Sequence, residues 1–285
     1  MPTPKVILIT GCSSGFGLIA AVRLASKGHR VYATMRDTSK KDLLLVEAAK
    51  RNASENIRIL PLDVTRPDII RAAVQEIMAE SNVIDVLINN AGFGMGGFFE
   101  DISAVDYRAQ FDVNFFGVLN VTREVLPVMR PRRKGLIINI SSMAAFSGTP
   151  CFSAYCASKW AIEGFSECLY MELRPFDIRV ALVEPGPYRT RIFDENARYG
   201  LRFNDPESPY YEQSQRLKAF VDRRLHNQLR DPGEVARVIE HLVESRFPSF
   251  RNIVGWRARL RVWLTRIIPF KWYAWMVRQV FLRIK

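Results

Sequence analysis

Three residues in the middle of the chain have the chemistry and spacing for a reaction between an alcohol and a carbonyl: Ser142, Tyr155 and Lys159. If Tyr155 lies near the start of a helix, Lys159 follows one turn later on the same face. An ammonium group there would lower the pKa of the phenol, which is about 10 in an unperturbed tyrosine. A tyrosine that exchanges a proton near neutral pH is a general acid–base. Ser142 follows an apolar run, so its hydroxyl would project from the carboxyl end of a strand.

Apolar segments that alternate with helical patterns must position these residues. We expect strands over 5–10, 30–35, 57–62, 83–88, 136–141, 178–183 and 250–254, and the main helices over 104–128, 154–174 and 231–245. Alternation of this kind produces βαβ units with helices on both faces of a parallel sheet. The sequence therefore predicts an α/β fold, a doubly wound Rossmann-type sheet of about seven strands. We expect one domain over residues 1–255, followed by an amphipathic helical tail over 256–285.

Composition limits the remaining possibilities. A chain of 285 residues, 48% of them hydrophobic, can bury one complete core. A strand pattern begins almost at the N-terminus and leaves no room for a signal peptide, which predicts a cytoplasmic protein. The four cysteines form no C-x-x-C pair and the three histidines are scattered. We therefore expect free thiols and no metal site.

A glycine-rich loop and the residues after the second strand predict a dinucleotide site. Gly11, Gly15 and Gly17 lie between the first strand and the first helix, where backbone amides would hold a pyrophosphate. Arg36, at the end of the second strand, would bind the 2′-phosphate of NADP(H), which favours that cofactor over NAD(H). In the alternative interpretation, Arg36 is a surface residue and Asp37 accepts the 2′-hydroxyl of the ribose.

Together these features resemble the short-chain dehydrogenase/reductase superfamily over roughly residues 5–190. Phe16 departs from the family, which usually has Ile or Leu at that position. The glycine loop and residues 33–37 more narrowly resemble the branch that contains 17β-hydroxysteroid dehydrogenase type 1 and photoreceptor retinol dehydrogenase. That branch generally uses NADP(H) and acts on bulky apolar substrates. The matching motifs occur in the family's order: T-G-x-x-x-G-x-G from Thr10, then Asp63, N-N-A-G from Asn89, Asn114, Ser142, Y-x-x-x-K from Tyr155, and P-G from Pro185 with Thr190.

The resemblance implies a role for each matching position. Tyr155 would be the acid–base and Ser142 would bind the substrate oxygen. Lys159 would lower the pKa of Tyr155 and bind the nicotinamide ribose, and Asn114 would hold a water that links Lys159 to solvent. The implied cofactor-binding residues are Gly11, Ser13, Ser14, Gly15, Phe16, Gly17, Arg36, Asp63, Val64, Asn90, Ala91, Gly92, Tyr155, Lys159, Pro185, Gly186 and Thr190.

Large apolar side chains flank these positions and suit a steroid, a retinoid or a long-chain lipid. Ordinary core packing is the alternative interpretation for any one of them. The usual excess of NADPH in cells would favour reduction. The expected substrate contacts are Phe93, Ser142, Met143, Phe146, Tyr155 and Tyr188, with further contacts from the segment that follows.

The end of the chain differs from the rest in charge and aromatic content. Of a net charge of +12, residues 251–285 contribute nine basic side chains and no acidic one. Residues 256–285 also hold four of the five tryptophans. No apolar run reaches the ~18 residues that a membrane span needs. The pattern predicts peripheral contact with the cytoplasmic face of a membrane. Packing of the tail on the body or on a second subunit is the alternative, and no motif favours nucleic acid.

The predicted function is therefore an NADP(H)-dependent oxidoreductase that acts on a carbonyl or alcohol of a bulky apolar substrate, with reduction as the expected direction. Two alternatives stay open: a catalytically silent, membrane-associated scaffold that binds NADP(H), and a reductase of a smaller polar carbonyl. An intact set of Asn114, Ser142, Tyr155 and Lys159 argues against the scaffold, which needs none of them. The predicted helices over 104–128 and 154–174 could pair in a homodimer, as in many members of the family.

Overall fold

A parallel sheet forms the centre of the protein. The computed structural model describes residues 3–188, 197–227 and 230–279. The strands of the main sheet are β1 (Val6–Ile9), β2 (Arg30–Met35), β3 (Ile57–Pro61), β4 (Val86–Asn89), β6 (Gly135–Ile140), β7 (Ile178–Pro185) and β9 (Arg251–Val254). These seven strands are all parallel and lie in the order β3-β2-β1-β4-β6-β7-β9. A second, two-stranded parallel sheet joins β5 (Gly94–Gly96) to β8 (Ala197–Tyr199). The predicted doubly wound sheet is confirmed.

Helices cover both faces of the main sheet. They are α1 (Gly15–Ser26), α2 (Asp42–Lys50), α3 (Pro67–Ser81), α4 (Ala104–Phe111), α5 (Gly117–Met129), α6 (Ser153–Leu173), α7 (Tyr211–Asn227), α8 (Gly233–Glu244), α9 (Trp256–Ile267) and α10 (Phe270–Val277). Apolar side chains of α1 and α8 pack in one core cluster, and those of α3 and α5 pack in another. The sheet is therefore enclosed between two layers of helices.

The sequence of β1 shows why the strands are apolar at every position. Ile7 and Ile9 are fully buried in the cluster that includes α1 and α8. Leu8, between them, is fully buried in the cluster that includes α3 and α5. Because successive side chains of a strand point to opposite faces, a strand covered on both sides needs apolar residues throughout.

The predicted continuous helix over 104–128 is interrupted in the structure. A π-helical turn, Asp112–Phe116, separates α4 from α5. A π turn accommodates one extra residue and occurs often at functional sites. Asn114, inside this turn, is 1% exposed and points into the protein. Helical periodicity in the sequence does not reveal such a local insertion.

The two helices of the tail follow β9 directly. One side of α9 packs on the body of the protein through Ala258 and Val262, both buried. Tyr273 of α10 donates a hydrogen bond to the carbonyl of Gly148, 2.9 Å away. Among the helices of residues 3–188, 197–227 and 230–279, none has the length and apolar character to cross a membrane.

Candidate active site

Ser142, Tyr155 and Lys159 line one cleft at the carboxyl end of the sheet. Ser142 stands two residues beyond β6, and its hydroxyl accepts a hydrogen bond from the amide of Ala144 at 3.1 Å. Tyr155 and Lys159 lie in the first two turns of α6. The end of a strand and the start of the following helix thus bring together residues that are separated by up to 17 positions.

The pKa of Tyr155 differs from the prediction that Lys159 lowers it. Burial raises the pKa of Tyr155 to about 12, against a smaller opposing effect from Ser142. Burial lowers the pKa of Lys159 to about 8. The amine of Lys159 donates to the carbonyl of Ile140 at 2.8 Å and lies 5.9 Å from the centre of the Tyr155 ring. The phenol is therefore held in its protonated form, which is the form that a proton donor requires.

Asn114 fixes the backbone next to the cleft. Its side chain accepts a hydrogen bond from the amide of Phe93 at 3.1 Å and donates one to the carbonyl of Phe93 at 3.0 Å. Its amide also lies 3.4 Å from the hydroxyl of Ser158, which donates to the carbonyl of Tyr155. The side chain thus joins the segment after β4 to the start of α6, while its predicted link to a water stays a prediction.

The glycine loop has a backbone that other residues would strain. Gly11 and Gly15 have φ angles of +73° and +60°, in the left-handed region that favours glycine. A Cβ on Gly17 would collide with the side chain of Asn90 and the carbonyl of Gly11. The Asn90 side chain donates to the carbonyls of Thr10 and Gly11 at 2.8 and 2.9 Å. Asn90 therefore ties the end of β4 to the loop.

Replacing Gly17 with Ala should lower the free energy of unfolding by about 1–3 kcal/mol, since the added methyl group overpacks the loop. Urea denaturation measures the change. Gly164→Ala is the matched control, because Gly164 is an exposed helical glycine whose added Cβ meets no atom within 4 Å. That variant should gain about 0.5–1 kcal/mol. Equal stability of the two variants would contradict the close packing around Gly17.

Nearly all the residues predicted to bind the cofactor line the cleft. Gly17 is buried in α1 beneath the loop, outside the lining, and Thr190 lies outside the described residues. The left-handed glycines bend the loop at the start of α1, and the N-terminus of a helix at this place fits the pyrophosphate of a nicotinamide dinucleotide. The predicted residues that line the cleft are Gly11, Ser13, Ser14, Gly15, Phe16, Arg36, Asp63, Val64, Asn90, Ala91, Gly92, Asn114, Ser142, Tyr155, Lys159, Pro185 and Gly186.

The end of β2 carries positive charge at one end of the cleft. Arg36 lines the cleft, and so does Lys40, which the sequence analysis did not single out. Asp37 does not line it. The carboxylate of Asp37 instead accepts hydrogen bonds from the amide and the hydroxyl of Ser39 at 3.0 and 2.6 Å. These bonds lower the pKa of Asp37 and hold it in a local turn.

The predicted substrate residues divide into two groups. Phe93 and Tyr188 line the cleft. Tyr188 is 1% exposed and its hydroxyl donates to the carboxylate of Glu234 at 3.0 Å. Met143 and Phe146 do not line the cleft. Met143 is buried on the side of Gly186 that faces α9.

Phe146 is drawn away from the predicted substrate site by two arginines. The guanidinium groups of Arg251 and Arg266 lie 5.5 and 5.9 Å from the centre of its ring. Such cation–π contacts stabilise a half-buried ring at the surface. Both arginines lie more than 100 positions later in the chain, so the spacing of residues around Ser142 did not reveal them.

Arg198 lines the cleft although no pattern in the sequence indicated this position. Its position is set by the pairing of β8 with β5, in which Arg198 lies opposite Met95. Its guanidinium lies 4.5 Å from the centre of the Phe93 ring. The other lining residues that the sequence analysis missed are backbone or apolar neighbours of predicted ones: Met35, Leu62, Val113, Ile140 and Ser141.

The Rossmann-type sheet, the glycine loop and the Ser–Tyr–Lys cleft define a nicotinamide-dependent oxidoreductase. A family model described as short chain dehydrogenase matches residues 5–199. The chain belongs to this family. In the residues that the structure describes, no cluster of three or more His, Cys, Asp or Glu side chains forms a metal site.

Two relatives are similar over most of the chain. The 3-ketodihydrosphingosine reductase of Bacteroides thetaiotaomicron is 40% identical over 255 residues, which cover 88% of each protein. Human retinol dehydrogenase 8 is 37% identical over 258 residues, which cover 87% of this chain and 81% of the relative. The second similarity agrees with the predicted retinol dehydrogenase branch.

Solved structures agree with the fold. A short-chain dehydrogenase/reductase of Burkholderia phymatum in complex with NAD superposes with a TM-score of 0.78 and 26% identity. The match covers 92% of each chain. Structures similar to this chain contain NAD or NADP.

Proposed function

We propose that the protein is an NADPH-dependent reductase of ketones or aldehydes in bulky, apolar, lipid-like molecules. The observation that carries this proposal is the position of Tyr155, beside Ser142 and Lys159, in the cleft that also contains the glycine loop. The complete set of Asn114, Ser142, Tyr155 and Lys159 favours an enzyme over a scaffold that only binds the cofactor.

The residues of the cleft account for the movement of a proton. When bound, NADPH supplies the hydride that reduces the carbonyl carbon. Tyr155 donates its phenolic proton to the carbonyl oxygen, and the hydroxyl of Ser142 holds that oxygen by a hydrogen bond. The product is an alcohol. The lysine ammonium stabilises the tyrosinate that remains until Tyr155 regains a proton.

The basic end of the cleft supports the choice of NADP(H). Arg36 and Lys40 both line it, and their charges suit the 2′-phosphate of NADP(H). An NAD-binding site at this position uses a carboxylate to bind the ribose hydroxyl. Asp37, which could play that part, is engaged by Ser39 instead.

The proposed substrate class rests on the lining and on the names of the relatives. Phe93 and Val113 give the cleft apolar surface near Tyr155. One relative is a reductase of a ketosphingoid base by its name, and another is a retinol dehydrogenase. Both names refer to long apolar molecules that carry a carbonyl or hydroxyl group. A panel of long-chain ketones, steroids and retinals, followed by loss of NADPH absorbance, tests the class; turnover of small sugars alone would contradict it.

The tail offers a surface for an anionic membrane. Trp256, Trp263, Trp272 and Trp275 are 64, 58, 65 and 58% exposed. Basic residues lie among them and no acidic residue occurs after position 250. An interfacial helix combines these two properties. We place the protein on the cytoplasmic face of a membrane, from which a lipid-dissolved substrate could enter. Its four cysteines are free thiols, as a reducing compartment requires.

Exchanging Trp263, Trp272 and Trp275 for Ser together should weaken binding to anionic vesicles by at least about tenfold, because each buries a large apolar side chain at the interface. Co-sedimentation with phosphatidylserine-containing vesicles measures the loss. These side chains point away from the body, so Ala258 and Val262 can keep α9 in place.

Trp160→Ser is the matched control, since Trp160 is 53% exposed but lies on α6, outside the tail. It should bind vesicles as tightly as the unchanged protein. Undiminished binding of the triple variant would show that the tail does not carry membrane contact.

A homodimer is part of the same proposal. Apolar side chains are exposed along the predicted pairing helices, among them Phe116 and Met171, which are 49 and 64% exposed. A second copy of the chain could cover them.

A further inference from the structure

The helix that carries Tyr155 and Lys159 continues with acidic residues on the same face. Glu163 and Glu167 follow Lys159 at four-residue intervals, so they lie one and two turns further along α6. Glu163 is 7% exposed and Lys159 is 6% exposed. A buried carboxylate therefore lies one turn from a buried amine. The proposed reaction assigns Glu163 no part.

Arg251 of β9 holds this carboxylate in place. Its guanidinium forms ion pairs with Glu163 and Glu167 of α6. It also lies 3.3 Å from the carboxylate of Glu184, which is fully buried on β7. The other oxygen of Glu184 accepts a hydrogen bond from the amide of Asn252 at 2.6 Å. Three structural elements thus meet at one arginine.

The second oxygen of Glu163 lacks a hydrogen-bond partner within the described part of the chain. Glu163 Oε1 is buried and unpaired, and so is the hydroxyl of Ser141 beside the cleft. The hydroxyl of Ser141 lies close enough to favour the charged form of Glu163, although burial is the larger effect and raises the pKa of Glu163. Ser141 also lines the cleft. The carboxylate of Glu163 therefore lies next to Ser141, a residue of the cleft wall.

Titratable and charged groups from three elements lie in the same part of the protein as Lys159. Tyr155 and Glu163 lie on its own helix, Glu184 on β7 and Arg251 on β9. Burial lowers the pKa of Lys159, and Glu163 is the one of these groups that raises it. Glu184 is less suited, because burial and the charge of Glu163 raise its pKa to about 8.

We propose that Glu163 is a positioning residue, held ionised by Arg251, that keeps the buried ammonium of Lys159 charged and directed toward Tyr155. This inference rests on the proposed function for the part that Lys159 plays. A neutral amine could not stabilise the tyrosinate that forms when Tyr155 gives up its proton. Burial raises the pKa of Glu163, and the guanidinium of Arg251, which stays charged at any working pH, opposes that shift.

Glu163→Gln should lower the pKa of Lys159 by about one unit, because the amide keeps the shape of the side chain but loses its charge. NMR of the full-length protein carrying ¹³C at the ε carbon of lysine follows the titration without cofactor or substrate. The signal that disappears in Lys159→Met identifies the residue. Glu163→Asp should restore part of the shift.

Glu167→Gln is the matched control, since Glu167 pairs with the same arginine but its side chain is 52% exposed and lies one turn further from Lys159. It should leave the Lys159 titration within about 0.2 units of its original position, as expected for a solvent-screened charge. An unshifted titration in Glu163→Gln, or an equal shift in both variants, would overturn the inference.

The pH dependence of activity gives a second measure. The loss of kcat/KM at high pH should begin at lower pH in Glu163→Gln, because Lys159 loses its proton earlier. A uniform fall in the activity of Glu163→Gln at every pH would indicate that Glu163 has only a structural role. The two proposals fail separately: the lysine titration tests Glu163 even if the protein shows no turnover.

Discussion

Tyr155→Phe should lower kcat/KM for ketone reduction by about a thousandfold, the usual contribution of a positioned general acid. The ring and its packing remain, and only the proton donor is lost. The protonated state of Tyr155 at neutral pH, with a pKa of about 12, makes it the donor in the direction of reduction. Steady-state kinetics with NADPH measures the effect, and fluorescence titration should show unchanged cofactor affinity.

Tyr170→Phe supplies the control for this substitution. Tyr170 lies on the same helix, and its hydroxyl contacts Arg174 far from the cleft. This variant should keep full activity. If Tyr155→Phe also turned over at the original rate, another group would have to donate the proton and the assignment of the site would be wrong.

Arg36→Leu should weaken NADPH binding by about 10- to 100-fold, the loss expected when one charge-assisted hydrogen bond to a phosphate is removed. Binding of NADH, which has no 2′-phosphate, should change little. The preference of the enzyme for NADPH over NADH should therefore fall. Calorimetric titration of both cofactors on the wild-type and variant proteins measures it.

Lys41→Ala is the control for the charge itself. Lys41 belongs to the same exposed turn as Lys40 but does not line the cleft. Its removal should leave both affinities nearly unchanged. An equal loss of NADPH and NADH binding in Arg36→Leu would show that Arg36 does not read the 2′-phosphate.

The main parts of the fold and site follow from local rules. Alternating apolar strands and helices defined the doubly wound sheet, and the spacing from Tyr155 to Lys159 placed both side chains on one helical face. The position of Ser142 followed from the end of its strand. These predictions need only the helix and strand periods and the geometry of a parallel sheet.

Other features depend on tertiary contacts that the sequence conceals. The pKa of Tyr155 is raised and not lowered because burial outweighs the hydrogen bond with Ser142, and burial is a property of the assembled cleft. The π turn contains Asn114, whose side chain forms hydrogen bonds with the backbone of Phe93, 21 positions earlier. Phe146 turns toward arginines of β9 and α9.

The tail also packs on the body of the protein, which was the alternative interpretation of its sequence. A Cβ built on Gly186 would lie 3.6 Å from the methyl group of Ala258, so α9 closes the wall of the cleft next to Gly186. The tail thus combines a face packed at the site with the exposed tryptophans. The aromatic and basic residues of the tail predicted its exposed face. The packing of Ala258 against the site could not be predicted, because a single small residue forms no recognisable sequence pattern.

Transfer of deuterium tests the central proposal most directly. The protein would be incubated with NADPH that carries deuterium at both positions of nicotinamide carbon 4, together with a long-chain ketone or retinal in anionic vesicles. We expect an alcohol heavier by one deuterium, detected by mass spectrometry, and none with Tyr155→Phe. Tight binding of NADPH without deuterium in any product from the lipid carbonyl panel would contradict the account and favour a cofactor-binding scaffold.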